Sequence, residues 1–149
     1  MSGENPEFSV VVPVFNERDN VTPLVNEIVA ALRGKYRFEI VYVDDQSKDD
    51  SFQVLKDLMT SVPELRVVQH LRQSGQSTAV RNGVKAARGQ WIATLDGDGQ
   101  NDPADIPKLI EARNNAAPEI KLFAGWRVNR KDTGSKRWAS KIANSIRAS

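Results

Sequence analysis

The sequence contains no cysteine and a single histidine, His70. The lack of cysteine excludes disulfide scaffolds, thiolate zinc sites and cysteine nucleophiles. A single imidazole excludes a multi-histidine metal centre and leaves at most one histidine for acid–base chemistry. No apolar run approaches the 18 residues that a membrane span needs, and residues 1–7 form no signal-peptide core. These absences favour a soluble, cytoplasmic protein.

The 149 residues are 40% hydrophobic and 27% charged, which is typical of one globular domain with its own core. The net charge of +2 is unevenly distributed. Residues 127–149 carry a net charge of +6, whereas the preceding 126 residues carry −4. A basic segment after an acidic body suggests an anionic partner such as phosphate, a lipid surface or nucleic acid. A solvated helix face would explain the charge run as well.

Short β-branched runs alternate with segments of helical periodicity. The predicted strands are, in order, Phe8–Val14, Phe38–Val43, Leu65–Gln69, Trp91–Leu95 and Ile120–Ala124. The first helix is predicted to start from an N-cap at Asp19 or Asn20 and to end at Gly34. Further helices are predicted over Phe52–Val62, over Thr78–Arg88, after an N-cap at Asp102, and over Lys136–Arg147. The alternation predicts an α/β fold with a mainly parallel sheet flanked by helices.

Acid-bearing turns follow three of the predicted strands. They carry Glu17 after the first strand, Asp44 and Asp45 after the second, and Asp96 and Asp98 after the fourth. The carboxyl ends of parallel strands share one edge of a sheet, so these five carboxylates should converge and repel one another. A divalent cation, or hydroxyl and N–H groups of a ligand, would relieve that repulsion.

The turn Asp-Gly-Asp-Gly-Gln carries the sharpest of these signals. Asp96, Asp98 and Gln100 occupy alternate positions, which suits coordination of a hard cation such as Mg²⁺ or Mn²⁺. An EF-hand would need glycine and glutamate where Asn101 and Pro107 stand. A haloacid-dehalogenase-type phosphatase would carry its nucleophile on an earlier strand. Ordinary turn chemistry is the plain alternative, because aspartate and glycine are both good turn formers.

A phosphate-binding role is also suggested for residues 75–81, which resemble a loop that leads into a helix N-terminus. Neither a Gly-x-Gly-x-x-Gly nor a Walker sequence is present. Their absence counts against a dinucleotide dehydrogenase and a P-loop NTPase.

Four ordered segments together identify a resemblance: VVPVFNE, VDDQSKDDS, GQSTAVRNGVKAARG and LDGDGQNDP. They resemble a family 2 glycosyltransferase, with a spacing most similar to the dolichol-phosphate and undecaprenyl-phosphate sugar transferases. The match extends from Phe8 to the last residue. It implies a GT-A fold, a Rossmann-like α/β arrangement that binds a nucleotide-sugar at the ends of the first, second and fourth strands.

The resemblance also implies roles for individual residues. Pro13, Phe15 and Glu17 would contact the base and ribose. Asp44 would hydrogen-bond the base with Asp45 close by. The metal-binding Asp-x-Asp-x-Gln pattern of this subgroup is matched by Asp96, Asp98 and Gln100.

Acceptor contacts are implied near the C-terminal end. Arg127 matches an arginine placed near the donor or acceptor phosphates. Asp98 and Arg127 are the two predicted catalytic residues. Arg137, Ser140 and Lys141 fall in a basic stretch that would receive a lipid phosphate. The implied reaction is metal-dependent, inverting transfer of a sugar from UDP or GDP to a polyprenyl phosphate.

Two other function classes stay open at this point. A family 2 glycosyltransferase with a sugar or protein hydroxyl as acceptor would use the same scaffold. A nucleic-acid-binding module built on the basic tail would leave the converging carboxylates unexplained, so no nucleic-acid partner is expected.

Relatives in this subgroup carry further sequence after the basic segment. We therefore expect a single, incomplete GT-A domain over residues 1–149, with a donor-binding core at 8–126 and a basic helical segment at 127–149. The full-length protein is expected at the cytoplasmic face of a membrane, and the sequence leaves a homo-oligomer open.

Overall fold

The computed structural model describes residues 5–116. Within that range strands and helices alternate strictly along the chain. The strands are β1 (Phe8–Val14), β2 (Phe38–Asp44), β3 (Leu65–Gln69) and β4 (Trp91–Thr94). The helices are α1 (Arg18–Leu32), α2 (Ser51–Met59), α3 (Gln76–Ala86) and α4 (Asp105–Asn114). The predicted strand at 120–124 and the predicted helix at 136–147 lie outside the described residues.

The four strands form one parallel sheet in the order β3-β2-β1-β4. The chain moves outward from β1 to β3 and then crosses back to place β4 on the other side of β1. Val14 at the end of β1 is in register with Asp44 at the end of β2, so the turns after these strands leave the sheet side by side. The order of the strands reverses at β1, which is where open parallel sheets bind their ligands.

Alternating side chains of β1 and β2 form a separate apolar layer on each face of the sheet. Val10, Val12 and Tyr42 are fully buried on the face covered by α1, α2 and α4. Val11 and Val43 are buried on the opposite face, against α3. Burial on both faces explains why the sequences of these strands are continuous runs of β-branched residues.

Helix α3 lies unusually close to the sheet at one glycine. A Cβ atom built on Gly83 would come within 2.4 Å of Val11 Cγ1. The absence of a side chain at this position is therefore what allows the helix to approach the sheet.

Among the described helices, none is long and apolar enough to cross a membrane.

The predicted N-cap of α1 is wrong. The helix starts at Arg18, one or two residues ahead of both predicted caps, and Glu17 holds the N-cap position. The exposed amides of this first turn find acceptors on a distant loop: Glu17 N donates to Ser51 Oγ at 3.0 Å and Arg18 N to Asp49 Oδ2 at 3.3 Å. A tertiary contact therefore does what a local cap was expected to do.

The start of the fourth helix also differs from its prediction. α4 begins at Asp105 rather than directly after Asp102. Asp102 Oδ1 instead accepts a hydrogen bond from Ala104 N at 3.0 Å, so this side chain organises the turn before the helix. Asp105 does lie in the first turn, where a negative charge is favourable.

Candidate active site

The turns after β1, β2 and β4 meet at the carboxyl edge of the sheet. The first two turns are held together by side chain to backbone hydrogen bonds. Asn16 adopts a left-handed conformation, with φ of +54°, and its Oδ1 accepts from Lys48 N at 2.8 Å. Asn16 N donates in return to Ser47 Oγ at 2.9 Å. This reciprocal pair gives the edge a defined shape without any ligand.

A cavity of about 300 Å³ opens at this edge, between the end of β1 and the turn after β4. This volume is at the lower end of the range for small-molecule sites. The cavity lies at the point where the strand order reverses. Its walls combine apolar and acidic side chains from all three turns and from the start of α3, namely Pro13, Val14, Phe15, Glu17, Asp45, Gln73, Gly75, Gln76, Ala79, Asp96, Gly97 and Asp98.

Four of the five predicted carboxylates line this cavity. They are Glu17, Asp45, Asp96 and Asp98. Asp44 does not join them, because its residue is fully buried and its oxygens accept hydrogen bonds from Ser47 and Gln69. The structure therefore brings Asp45 to the cavity and leaves Asp44 beneath it.

Asp45 is 4% exposed, and its carboxylate holds the loop that follows β3. Oδ1 accepts from Ser74 N at 2.7 Å and lies 2.8 Å from His70 Nδ1. Oδ2 accepts from Gly75 N at 2.9 Å. A carboxylate offers about four acceptor positions. Three are occupied by groups from residues 5–116, and within that part of the chain the second position on Oδ2 has no donor.

The turn after β4 is packed tightly against the end of β1. A Cβ atom on Gly97 would lie 2.7 Å from the carbonyl oxygen of Pro13. Asn101 closes the turn, since its Oδ1 accepts from Asp96 N at 2.7 Å. Glycine at position 97 thus lets the turn approach Pro13 closely, and the flanking residues Asp96 and Asp98 line the same cavity.

Asp96 and Asp98 fit a hard divalent cation as part of a larger ligand set. Both residues line the cavity, and carboxylate oxygen is the ligand type that Mg²⁺ and Mn²⁺ prefer. Within residues 5–116, however, no three acidic or imidazole side chains come together in a way that could hold a metal ion by themselves. A cation here would therefore need oxygen ligands from a bound molecule, from an amide or from water.

Gln100, the third predicted metal ligand, is exposed and is not part of the cavity wall. Its backbone amide donates to Asp98 Oδ1 at 3.0 Å, so the residue orients that carboxylate through the main chain. Its proposed coordination through the side chain stays a prediction.

The start of α3 is occupied by the protein's own carboxylates. The backbone amides of Ser74 and Gly75 donate to Asp45, and Gln76 Nε2 donates to Asp96 Oδ1 at 3.2 Å. The Gly75 amide therefore has an acceptor within the protein, and the phosphate-binding role of residues 75–81 stays a prediction. Gln76 also lines the cavity, and the sequence did not predict this, because a glutamine at the start of a helix carries no pattern that marks a site.

The remaining predicted site residues lie outside the described residues. They are the four expected near donor or acceptor phosphates: Arg127, Arg137, Ser140 and Lys141. Their roles stay predictions.

The fold and its edge define an α/β domain with an acidic ligand cavity at the strand-order reversal. Comparison with known proteins then gives the family. The model of the family described as "Glycosyl transferase family 2" matches residues 9–147. The chain belongs to this family.

Several similar proteins are named as polyprenyl-phosphate or dolichol-phosphate sugar transferases or synthases. A dodecaprenyl-phosphate galacturonate synthase from Rhizobium johnstonii is 43% identical over 128 residues, covering 85% of this chain and 37% of the relative. An undecaprenyl-phosphate 4-deoxy-4-formamido-L-arabinose transferase from Pseudomonas fluorescens is 38% identical, covering 91% and 40%. A dolichol-phosphate mannosyltransferase from Pyrococcus furiosus is 39% identical, covering 74% and 31%. The chain thus spans about two fifths or less of the length of these relatives.

Solved structures confirm the GT-A fold. S. aureus TarS 1–349 in complex with UDP-GlcNAc superposes with a TM-score of 0.61 at 30% identity, covering 71% of this chain and 30% of that chain. Mannosyltransferase PcManGT from Pyrobaculum calidifontis, in complex with GDP-Man and Mn²⁺, has a TM-score of 0.58 at 22% identity, covering 64% and 28%. The predicted fold class, family and subgroup resemblance are confirmed.

Proposed function

We propose that this chain is the donor-binding part of a glycosyltransferase that moves a sugar from a UDP- or GDP-sugar to a polyprenyl phosphate. One observation carries the proposal: Glu17, Asp45, Asp96 and Asp98 line one cavity where the strand order reverses. The family match and the names of the relatives support the reaction class and the lipid acceptor.

The base and ribose of the donor would bind at the β1 and β2 side of the cavity. Pro13, Phe15 and Glu17, to which the resemblance assigns base and ribose contacts, line the cavity, and this supports the placement. Asp45 is the better candidate than Asp44 for an acceptor of a base N–H, because it lines the cavity and retains one acceptor position. Uracil and guanine both carry an imino N–H, so this contact serves either nucleotide.

Asp96 and Asp98 would hold Mg²⁺ or Mn²⁺ together with the two phosphates of the donor. When bound, such a cation neutralises the charge that builds on the departing nucleoside diphosphate. The chain's own contribution is to hold both carboxylates at the cavity, which it does through the Gly97 contact and the Gln100 amide. The donation from Gln76 fixes Asp96 from the opposite wall.

The acceptor phosphate would be received by Arg127, Arg137, Ser140 and Lys141. A phosphate nucleophile is already ionised at neutral pH, so the transfer needs no strong general base. Attack on the face opposite the nucleotide inverts the anomeric centre. We place the full-length enzyme at the cytoplasmic face of a membrane because its acceptor is a lipid, and we leave its oligomeric state open.

Calorimetric titration of UDP and of GDP into the 149-residue chain, with and without Mn²⁺, tests the donor site. We expect one nucleotide to bind, and Mn²⁺ to strengthen its binding. Asp98→Asn should weaken the Mn²⁺-dependent binding at least about tenfold, since even an outer partner of a metal ligand is worth about that much. Asp57→Asn, which removes one negative charge from an exposed position outside the cavity, is the matched control.

A folded wild-type chain that binds neither nucleotide would contradict the proposal, as would equal effects of the two variants. The acceptor is tested with the full-length protein and its nucleotide-sugar. Transfer to a short polyprenyl phosphate, and not to the matching polyprenyl alcohol, is the expected result. Transfer to a sugar or protein hydroxyl alone would favour the alternative acceptor class.

A further inference from the structure

His70, the sole histidine of the chain, lies directly behind the cavity wall. It follows β3 and is 8% exposed. Its Nδ1 is 2.8 Å from Asp45 Oδ1, and its Nε2 is 2.9 Å from Asn82 Nδ2 on α3. The backbone of His70 is held as well, because its amide donates to the Asp44 carbonyl and its carbonyl accepts from Gln46 Nε2. Every polar group of this residue therefore has a partner.

These partners define which ring nitrogen carries the proton. The Asn82 side-chain nitrogen is a donor, so Nε2 of His70 must accept. The Asp45 carboxylate can only accept, so in this arrangement Nδ1 carries a proton and donates it to Asp45 Oδ1. In this arrangement Asn82 selects the tautomer, and the tautomer supplies the Asp45 hydrogen bond.

The same Asp45 carboxylate holds the Ser74 and Gly75 amides, and Gly75 and Gln73 line the cavity. We propose that His70 and Asn82 are positioning residues for the donor site, which orient Asp45 so that its free acceptor position faces the base. This inference rests on the proposed nucleotide-sugar site. Neither residue lines the cavity, so both act through Asp45.

The tautomer is measured first, without any nucleotide. Proton–nitrogen correlation spectra of the ¹⁵N-labelled chain need no histidine assignment, because the sequence holds one histidine. We expect a neutral ring at pH 7 with a protonated Nδ1 and an unprotonated Nε2. A protonated Nε2, in either a neutral or a charged ring, would overturn the proposal.

Substitution of Asn82 then tests the dependence on α3. Asn82→Leu removes the donor to Nε2, so the population of Nδ1-protonated ring should fall. Nucleotide affinity should fall about tenfold, the size expected for losing a hydrogen bond to a charged group. Asn26→Leu makes the same exchange on the exposed face of α1 and should change neither. A merely structural role for Asn82 would lower the melting temperature without moving the tautomer.

Two substitutions of His70 separate its hydrogen bond from its volume. His70→Asn can present an amide N–H near the position of Nδ1, and should keep nucleotide affinity within about twofold of the wild type. His70→Gln places its amide nearer the position of Nε2 and should bind about tenfold more weakly. Circular dichroism of each variant verifies that it is folded. Equal affinities for folded His70→Gln, His70→Asn and wild type would overturn the positioning role.

The outcomes also separate this inference from the function on which it rests. If the wild type binds no nucleotide, the proposed function fails and the positioning role fails with it, whatever the tautomer. If the wild type binds nucleotide and the variants bind equally well, only the positioning role fails.

Discussion

Tyr42 lies in the middle of β2, fully buried among apolar side chains. Its hydroxyl finds no hydrogen-bond partner among residues 5–116. An unpaired buried hydroxyl loses its hydration without compensation. Burial also raises the pKa of Tyr42 above its ordinary value. The side chain therefore contributes volume to the core at the cost of one unsatisfied group.

Tyr42→Phe keeps the ring and removes that group. We expect the free energy of unfolding at pH 7 to rise by about 1 kcal/mol, measured by urea denaturation. The two proteins should diverge further above about pH 10. There the unfolded wild type ionises its tyrosine while the folded state keeps it neutral, so wild-type stability falls with pH. Tyr36 is present in both proteins and serves as the internal reference. A destabilised Tyr42→Phe would indicate a partner for the hydroxyl.

Gly97 illustrates a residue whose identity is set by space. Its Cβ position is 2.7 Å from the Pro13 carbonyl oxygen and 3.3 Å from Val14 side-chain atoms. Both neighbours belong to the end of β1 and to the cavity wall. A side chain here must push the turn after β4 away from β1.

Gly97→Ala should lower the free energy of unfolding by about 1–3 kcal/mol, as overpacking generally does. It should also weaken nucleotide binding, because Asp96 and Asp98 move with the turn. Urea denaturation and calorimetry check the two effects. Ala93→Gly, which removes a methyl group from neighbouring β4, should destabilise the protein without displacing the turn. Unchanged stability and affinity in Gly97→Ala would contradict the packing argument.

At the scale of elements, a buried ion pair connects three strands at the edge opposite the cavity. Glu39 on β2 is 6% exposed, and its Oε1 accepts from Arg66 Nε on β3 at 2.8 Å. Its Oε2 accepts from Ser9 Oγ on β1 and from Arg88 N in the α3–β4 connection, both at 2.6 Å. One carboxylate therefore joins three strands and a loop.

Arg33 and Glu64 form a contrasting pair at the surface. Two hydrogen bonds of 2.9 and 2.6 Å join them, and the hydrogen bond from Arg33 lowers the pKa of Glu64. Both side chains remain partly exposed, so water competes for the same groups. Any stability from this pair is present at neutral pH and is lost as the pH falls through the lowered pKa of Glu64.

Glu39→Ala should lower the free energy of unfolding by about 3 kcal/mol, because Arg66 and Ser9 lose the carboxylate that accepts their hydrogen bonds. Glu64→Ala should cost far less, since its arginine remains solvated. Urea denaturation of both variants at pH 7 provides the comparison. Similar losses in the two variants would show that burial does not set how much Glu39 contributes to stability.

At the scale of the whole molecule, the proposed site predicts that metal and nucleotide help each other to bind. Mn²⁺ alone would meet Asp96 and Asp98 without a third acidic or imidazole ligand in the described part of the chain. Nucleotide alone would bring its phosphates to a wall of carboxylates. Each ligand should therefore bind better in the presence of the other.

Thermal unfolding measures that coupling. Nucleotide and Mn²⁺ together, at one hundred times the dissociation constant, should add about 2.7 kcal/mol of stability. The Tm should then rise by roughly 5–10 °C. Either ligand alone at the same concentration should give a smaller rise. In Asp98→Asn the excess rise from the combination should disappear. A combined shift no larger than the sum of the separate shifts would contradict the coupling.

Local sequence patterns were sufficient for the order of elements. The β-branched runs at β1 and β2 are buried on both faces, and such strands can be predicted from their composition alone. The Asp-Gly-Asp turn could also be predicted from the sequence, because its residues lie next to one another along the chain. Element ends were less predictable. The start of α1 depends on Ser51 and Asp49, more than thirty residues away, and no local rule contains such a contact.

The sequence by itself therefore determined the α/β class, the family, and the acidic character of the edge where the strands end. The tertiary structure alone decided which carboxylates share the cavity. Asp44 and Asp45 are adjacent in sequence, yet one is buried against Ser47 and the other faces the cavity. Only the structure joins Asp45 to His70, which follows β3, and His70 to Asn82 on α3. The physical reason is that hydrogen-bond partners are chosen by distance in space, whereas sequence patterns report only what lies nearby along the chain.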